Sequence, residues 1–476
     1  MADLFASLQT AGQALGVFQQ ALNTVQNNIT NVNTPGYASQ SVNFVAQPFD
    51  LVGGLAGGVA SQGLTSARDQ YAEEEVRRQV STLGLYEGQV QGTSSIATNF
   101  DPSGNTGVPA ELNQLLQSFS SWSLTPNDQS AQQQVLSNAG NLAIGIQQLA
   151  ASLSQTDQDV QTQIGSTVQQ INTLTSQIQQ LNISQQQTQQ PDPGLDAQMN
   201  SALQQLSELV PFSQIKQSDG TVTVVLTNGT PLVIGNKQYA LSATQALPAG
   251  ATNTKAPPTS EILDSNGNNI TGLITGGKLG GLLDTHNNVL ASILGDGNQA
   301  GSLNTFAKDF ADTVNNILTS GKVSTAAGAA HGAALFTYDN SDPTLAAGSF
   351  AVNPNITTAT LAPVDSSGNS NGAALQLASL ATATTSGGVN GQTFSQFFAG
   401  IAQSVGNSSA NATNNQQLQQ QIVTQTENLR DQVSAVSLDS QAIQLEQFQQ
   451  SYQAVAKLIN VLDTIAQTVI NMVPTS

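Results

Sequence analysis

The sequence predicts a mainly α protein with β-rich insertions. It reads as an elongated, multidomain chain with paired N- and C-terminal coiled-coil helices, a long helical bundle domain and a small β/loop outer domain. Three observations carry this reading. Apolar residues recur in alternating steps of three and four at both ends of the chain, which is the a/d spacing of a coiled-coil seam. A second such repeat, from Leu149 to Leu181, runs through a Gln-rich stretch. Only after Pro211 does the period shorten to the strict alternation of strands.

The first element is a helix whose seam is Leu4, Leu8, Ala11, Leu15, Phe18, Leu22, Val25, Ile29 and Val32. At ~1.5 Å of rise per residue it is about 40 Å long. A narrow stripe of that length needs a second helix to cover it. NNITNVNTPGY, residues 27–37, then stops the repeat. Pro35 removes an amide donor and disfavours helix at Thr34, while Gly36 accepts the positive φ of a type II turn. Asn28, Asn31, Thr34, Pro35, Gly36 and Tyr37 make up this turn motif.

A charged segment, RDQYAEEEVRRQVSTLGLYEGQV, opens the next helix; its alternating signs predict a solvated face. Another helix starts near Glu111 and ends at LTPND, where Asn127 or Asp128 caps a long helix over 130–190. Its seam is Leu149, Leu153, Thr156, Val160, Ile164, Thr167, Ile171, Leu174, Ile178 and Leu181, and it is broken by Pro191 and Pro193. LDAQMNSALQQLSELV returns antiparallel. Val222, Val224 and Leu226 alternate between an Asp-Gly and an Asn-Gly, predicting a hairpin, with a further strand at 237–242. Two helices follow, then an Ala/Gly/Ser/Thr-rich outer insertion. Helical pattern resumes at Thr393. At the end Phe448, Tyr452, Val455, Ile459, Leu462, Ala466, Val469 and Val473 repeat the steps of the N-terminal seam, so the two ends are expected to pack together. The predicted units are 1–64, 65–215, 216–275, 276–321, 322–390, 391–437 and 438–476.

Composition excludes several functions. Only 9% of the 476 residues are charged, against about 25% on average. The net charge is -19, and neither Lys nor Arg occurs between Arg78 and Lys216, so nucleic acid is a poor partner. Cysteine is absent. The N-terminus lacks a basic region and a continuous apolar core, so no cleaved signal peptide is expected, and no apolar stretch is long enough to cross a membrane. His286 and His331 stand apart from other metal-ligand types and read as surface or loop histidines. GLITGGKL approaches a P-loop, but Leu279 stands where Mg²⁺ coordination needs Ser or Thr. DSNGNNI lacks the glycine and the bidentate Glu of a calcium loop and reads as an Asx turn. No convergent catalytic pocket is expected, no cofactor and no metal.

NNITNVNTPGY after a heptad helix resembles the N-terminal signature of the axial proteins of the bacterial flagellum, the rod, hook and hook-associated proteins. The tail ENLRDQVSAVSLDSQAIQLEQFQQSYQAVAKLINVLDTIAQTVINMV is similar to the C-terminus of the hook-associated members at the junction of hook and filament. PAELNQLLQSFSSWSLTPNDQ, QINTLTSQIQQLN and DGTVTVVLTNGTPLVIG followed by KLGGLLDTHNNVL agree with that group in order and spacing. Ser39 departs from the group's usual arginine, and Ser440 and Gln441 from its acidic pair. The resemblance implies a structural protein rather than an enzyme, exported through the flagellar type III channel to the extracellular flagellum. It implies a homo-oligomeric axial ring in which the terminal helices form the inner tube. Its implied partners are the hook protein, the second hook-filament junction protein and a cytoplasmic export chaperone. A hook or distal rod protein is the alternative, and should lack the long helix of 130–190.

Overall fold

The computed structural model describes residues 2–50, 55–100, 106–188, 192–384 and 388–472. Pro191 and Val473 lie outside them. Helix α1 (Ala2–Thr30) leads through a turn into β1 (Gln40–Ala46), β2 (Phe49–Asp50), β3 (Leu55–Ala56) and β4 (Val59–Ser66), where β1 pairs with β4 and β2 with β3, both antiparallel. The strand over QSVNFVA has no counterpart among the elements expected from the sequence. Val42 is buried but Phe44 stays 38% exposed, so the hairpin shows only a weak apolar pattern.

Helices α2 (Gln70–Ala97), α3 (Gly107–Leu124), α4 (Gln129–Gln187) and α5 (Pro193–Leu209) build the body. Asp128 caps α4 by accepting from the Ser130 amide at 2.8 Å. The 59 residues of α4 span roughly 90 Å. Nine of the ten seam residues expected on it are buried; Leu174 is only half-buried because the fully buried Thr175 takes the inward place.

Strands β5 (Phe212–Lys216), β6 (Val222–Leu226), β7 (Pro231–Ile234) and β8 (Lys237–Gln238) form an antiparallel sheet in that order, followed by the pair β9 (Ser242–Ala246) and β10 (Thr259–Leu263). Two asparagines fasten these strands to α4. Asn182 bonds both to the Val222 amide and to the Val222 and Gly235 carbonyls, and Asn172 holds the Leu241 amide and carbonyl. Their polar groups are thereby satisfied within a helix face that is otherwise apolar.

The chain returns through α6 (Gly277–Asp284), a π-helical stretch (Thr285–Leu290), α7 (Ala291–Leu294) and α8 (Ser302–Ser320). The glycines of GGKLGG have a packing role. A Cβ on Gly281 would lie 2.1 Å from the Leu85 carbonyl oxygen, and one on Gly88 would lie 2.5 Å from that of Lys278. Bare backbone on both sides lets α2 and α6 approach. His286, expected near the surface, is buried in the π-helical stretch, with Nε2 3.4 Å from Asp157 Oδ1.

Between α8 and the next long helix lie β11 (Phe336–Thr337), β12 (Ala351–Val352) and α9 (Gly372–Ser379). The segment is largely irregular, and part of it packs on the main core. Phe336 and Phe350 stack at 4.7 Å and join Phe306, Phe310, Phe394 and Phe398 in one aromatic cluster of the main core. Burial of each such side chain contributes about 1.5–3 kcal/mol. Helix α10 (Phe394–Ser434), begun by a Thr393/Gln396 capping box, then packs along α2, and α11 (Leu438–Met472) packs along α1.

Candidate functional site

The site lies where both chain ends meet the body, and Asn28 is its centre. Its last-turn position on α1 points the side chain inward with no exposure to solvent. Its Nδ2 donates to the Gln40 carbonyl at 2.8 Å and to Gln441 Oε1 at 2.9 Å. Its Oδ1 accepts from the Tyr37 hydroxyl at 2.8 Å and from the Gln40 amide at 3.0 Å. A buried amide with donors and acceptor all engaged fixes its neighbours' positions, because any displacement leaves polar groups unpaired. Gln441, one of the departures from the group's pattern, thus makes a contact within its own chain.

The rest of the motif shapes the turn. Asn31 Nδ2 binds the Asn27 carbonyl and side chain, Thr34 Oγ1 donates to Asn31 Oδ1 at 3.0 Å, and the Tyr37 amide donates to the Thr34 carbonyl at 3.1 Å. Pro35 is exposed at the corner. Gly36 adopts φ +75°, and a Cβ there would lie 2.4 Å from the Ala197 carbonyl oxygen, so the turn rests directly on α5. Burial pushes the Tyr37 phenol pKa up.

A second hub locks this turn to the body. The Arg68 guanidinium donates to the Gly36 carbonyl at 2.6 Å, to Glu73 at 2.5 Å and to Asp196 at 2.9 Å. Glu73 also lies 3.8 Å from Arg430 near the end of α10. The charged run that opens α2 is therefore no uniform solvated face, since Glu73 and Arg77 are both buried. The available signal was scarcity: of only 11 basic residues, three fall at 68, 77 and 78.

Above the hubs, α1 and α11 run side by side. On α11, Phe448, Tyr452, Val455, Ile459, Leu462, Ala466 and Val469 are half-buried, and Phe448 packs on Val17, Ala21 and Val42. On α1 the deepest row is Ala11, Ala14, Val17, Ala21, Val25 and Asn28, whereas Leu4, Leu8, Leu15, Phe18, Leu22 and Ile29 are half-buried beside it; Val32, expected on the helical seam, is half-buried in the turn after α1. The small residues take the centre because they allow close approach. Phe18 and Phe448 meet through Phe44, at 6.1 and 5.7 Å between ring centres. A further α11 row, Leu458, Val461, Ile465 and Met472, is 46–75% exposed. It has the same step pattern, one residue out of phase.

No group of three or more His, Cys, Asp or Glu that could hold a metal occurs among the described residues, and no helix among them is long and apolar enough to cross a membrane.

A long helical body carried on a tied pair of terminal helices defines an axial structural protein of the flagellum. Residues 93–336 match the family model for the flagellar hook-associated protein FlgK helical domain, and residues 8–37 match that for the flagella basal body rod protein. The chain belongs to the flagellar hook-associated protein FlgK family, structural proteins of the hook-filament junction. It is 25% identical to flagellar hook-associated protein 1 of Bacillus subtilis over 99% of both chains. It is 29% identical to that of Salmonella typhimurium over 57% of this chain and 50% of the relative. The fold is similar to the flagellar hook junction protein FlgK from Burkholderia pseudomallei, with a TM-score of 0.61 at 17% identity, covering 76% of this chain and all of that one.

Proposed function

We propose that the α1–α11 pair is the module by which copies of this chain assemble into an axial ring, and that it joins the hook protein on one side to the second hook-filament junction protein on the other. The exposed apolar row of α11 carries the reading. An exposed apolar side chain gains free energy only when another surface covers it, and a row along the C-terminal part of a helix fits another helix. The half-buried residues Leu4, Leu8, Leu15, Phe18, Leu22 and Ile29 would complete the seam from the α1 side. The Asn28 and Arg68 hubs would hold this module at a fixed angle to the body.

The same face suits a cytoplasmic export chaperone before assembly, consistent with passage through the flagellar type III channel. The role is structural, with no catalytic step. The test adds purified chain to hook preparations: binding at hook ends is expected, together with a deletion strain that makes hooks and sheds filament subunits into the medium. A deletion strain with normally attached filaments would overturn the reading.

A further inference from the structure

His286 is 3% exposed in the π-helical stretch, which packs against β10 on one side and α4 on the other. Short π-helical pieces are rare in proteins and occur mostly at functional sites. The tautomer of the ring follows from its neighbour. Asn287 is pinned to β10 by both ends of its amide, since Oδ1 accepts from the Ser260 amide at 2.9 Å and Nδ2 donates to the Ser260 carbonyl at 2.8 Å. Its Oδ1 can only accept and lies 2.8 Å from His286 Nδ1, so Nδ1 carries a proton. In the neutral ring Nε2 then holds a lone pair, buried and without a hydrogen-bond partner, with Asp157 Oδ1 3.4 Å away. A lone pair facing an ionised carboxylate oxygen is repelled, whereas a proton on either atom makes the contact attractive. Burial pushes the Asp157 carboxyl pKa up, and His286 pulls it part of the way back. The Asp157 side chain is 26% exposed, so water can bring or remove the proton.

We propose that Asp157 and His286 hold one proton between them and form a pH-sensitive latch that fastens the π-helical stretch to the middle of α4, closed while the proton is present and released when alkaline pH removes it. Neighbouring ionisable groups are engaged elsewhere. The part of α2 that meets the stretch, residues 88–97, has no ionisable side chain, and α7 has none. On α4, Asp159 accepts from Gln155; on α6, Asp284 is held by Gln89 and Asn288, and Lys278 acts on Glu87. Glu261 lies on the face of β10 opposite Ser260. Asp296 accepts from the Asn298 and Gln299 amides, and Asp339 from the Ser341 amide. In the unfolded chain the two partners titrate apart, near about 3.9 and about 6.5. The stabilisation is therefore present at pH 6 and is lost as rising pH strips the native pair.

Nuclear magnetic resonance of the full chain labelled with ¹⁵N-histidine reads the tautomer, and His331→Gln leaves the signals of His286 alone. The neutral ring is expected with its proton on Nδ1; a proton on Nε2 overturns the proposal. Urea midpoints at pH 6 and pH 9 read the latch. A fall between the two is expected in the unsubstituted chain and should shrink by at least half in Asp157→Asn, whose amide N–H can donate to the Nε2 lone pair at every pH. An equal fall in both chains, or none in either, overturns the proposal. Should Asp157→Asn fail to fold, the tautomer decides, because it is read with the pair untouched.

Discussion

The Asn28 side chain donates to Gln441 Oε1 at 2.9 Å, a hydrogen bond between residues 413 positions apart and buried at both ends. It is the point at which the end of α1 and the start of α11 are held in register. Replacing Asn28 with Ala leaves the Gln40 amide and carbonyl and the Gln441 side chain without partners, at about 1–3 kcal/mol for each group that water cannot reach. Amide hydrogen exchange should rise at Gln40 and across the first turns of α11, while α4 remains protected. Unchanged exchange at both places would show that the apolar seam alone holds the helices.

Gly36→Val forces a β-branched residue to φ +75° and drives its Cβ into the Ala197 carbonyl. About 1–3 kcal/mol of local strain follows. The helical body should unfold at its usual temperature, and binding to hook ends should fall.

The two apolar rows of α11 give opposite readouts. Ile459→Asp with Leu462→Asp buries charge against α1 and should free α11 in the monomer, seen as rapid proteolysis of residues 438–472. Leu458→Asp with Ile465→Asp alters exposed positions and should leave the monomer's protease resistance intact. Both pairs should abolish assembly onto hooks. Normal hook binding by the second pair would remove the basis for assembly through that face.

Gly281→Ala would place a methyl group 2.1 Å from the Leu85 carbonyl and 2.8 Å from the Gln89 amide nitrogen, both backbone atoms that cannot step aside. Parting α2 from α6 should cost about 1–3 kcal/mol. A lower urea midpoint would register it, and an unaltered midpoint would refute the close approach.

Burial pushes the Glu111 carboxyl pKa up, and its Oε2 has no partner. A folded-state pKa above the unfolded one means the native chain holds the proton longer. The ionised carboxylate therefore destabilises the fold at neutral pH, and this penalty fades as pH falls through the raised folded-state pKa and is gone below the ordinary value of 4.5. Glu111→Gln should stabilise the chain at pH 7 and give no gain at pH 4, measured by urea unfolding at both.

The long helices were legible because a heptad stripe with strong turn signals has few other uses. Residues 149–181 show this best, where only Leu174 and Thr175 exchange roles. The position of the α1 stripe was harder to read. Large residues such as Leu15 and Phe18 dominate the sequence pattern, yet Ala14 and Ala21 lie deeper, because the distance between helices is set by the smallest side chains between them. The buried charges could not be read at all from local sequence. Glu73 looks like any solvated glutamate until the fold brings Arg68 and Arg430 beside it. The hairpin of β1 and β4 was missed because much of its surface stays exposed in the monomer.

Because Asn28 waits for Gln441, α1 is among the last elements to be paired. Closing a loop of that length is entropically slow, and contacts so distant in sequence form late. Within the body α3, α4 and α5 pair with near neighbours and can condense first, whereas α2 waits for α10. The α1–α11 pair is therefore completed only when α11 is present, so copies truncated before it carry an unpaired α1.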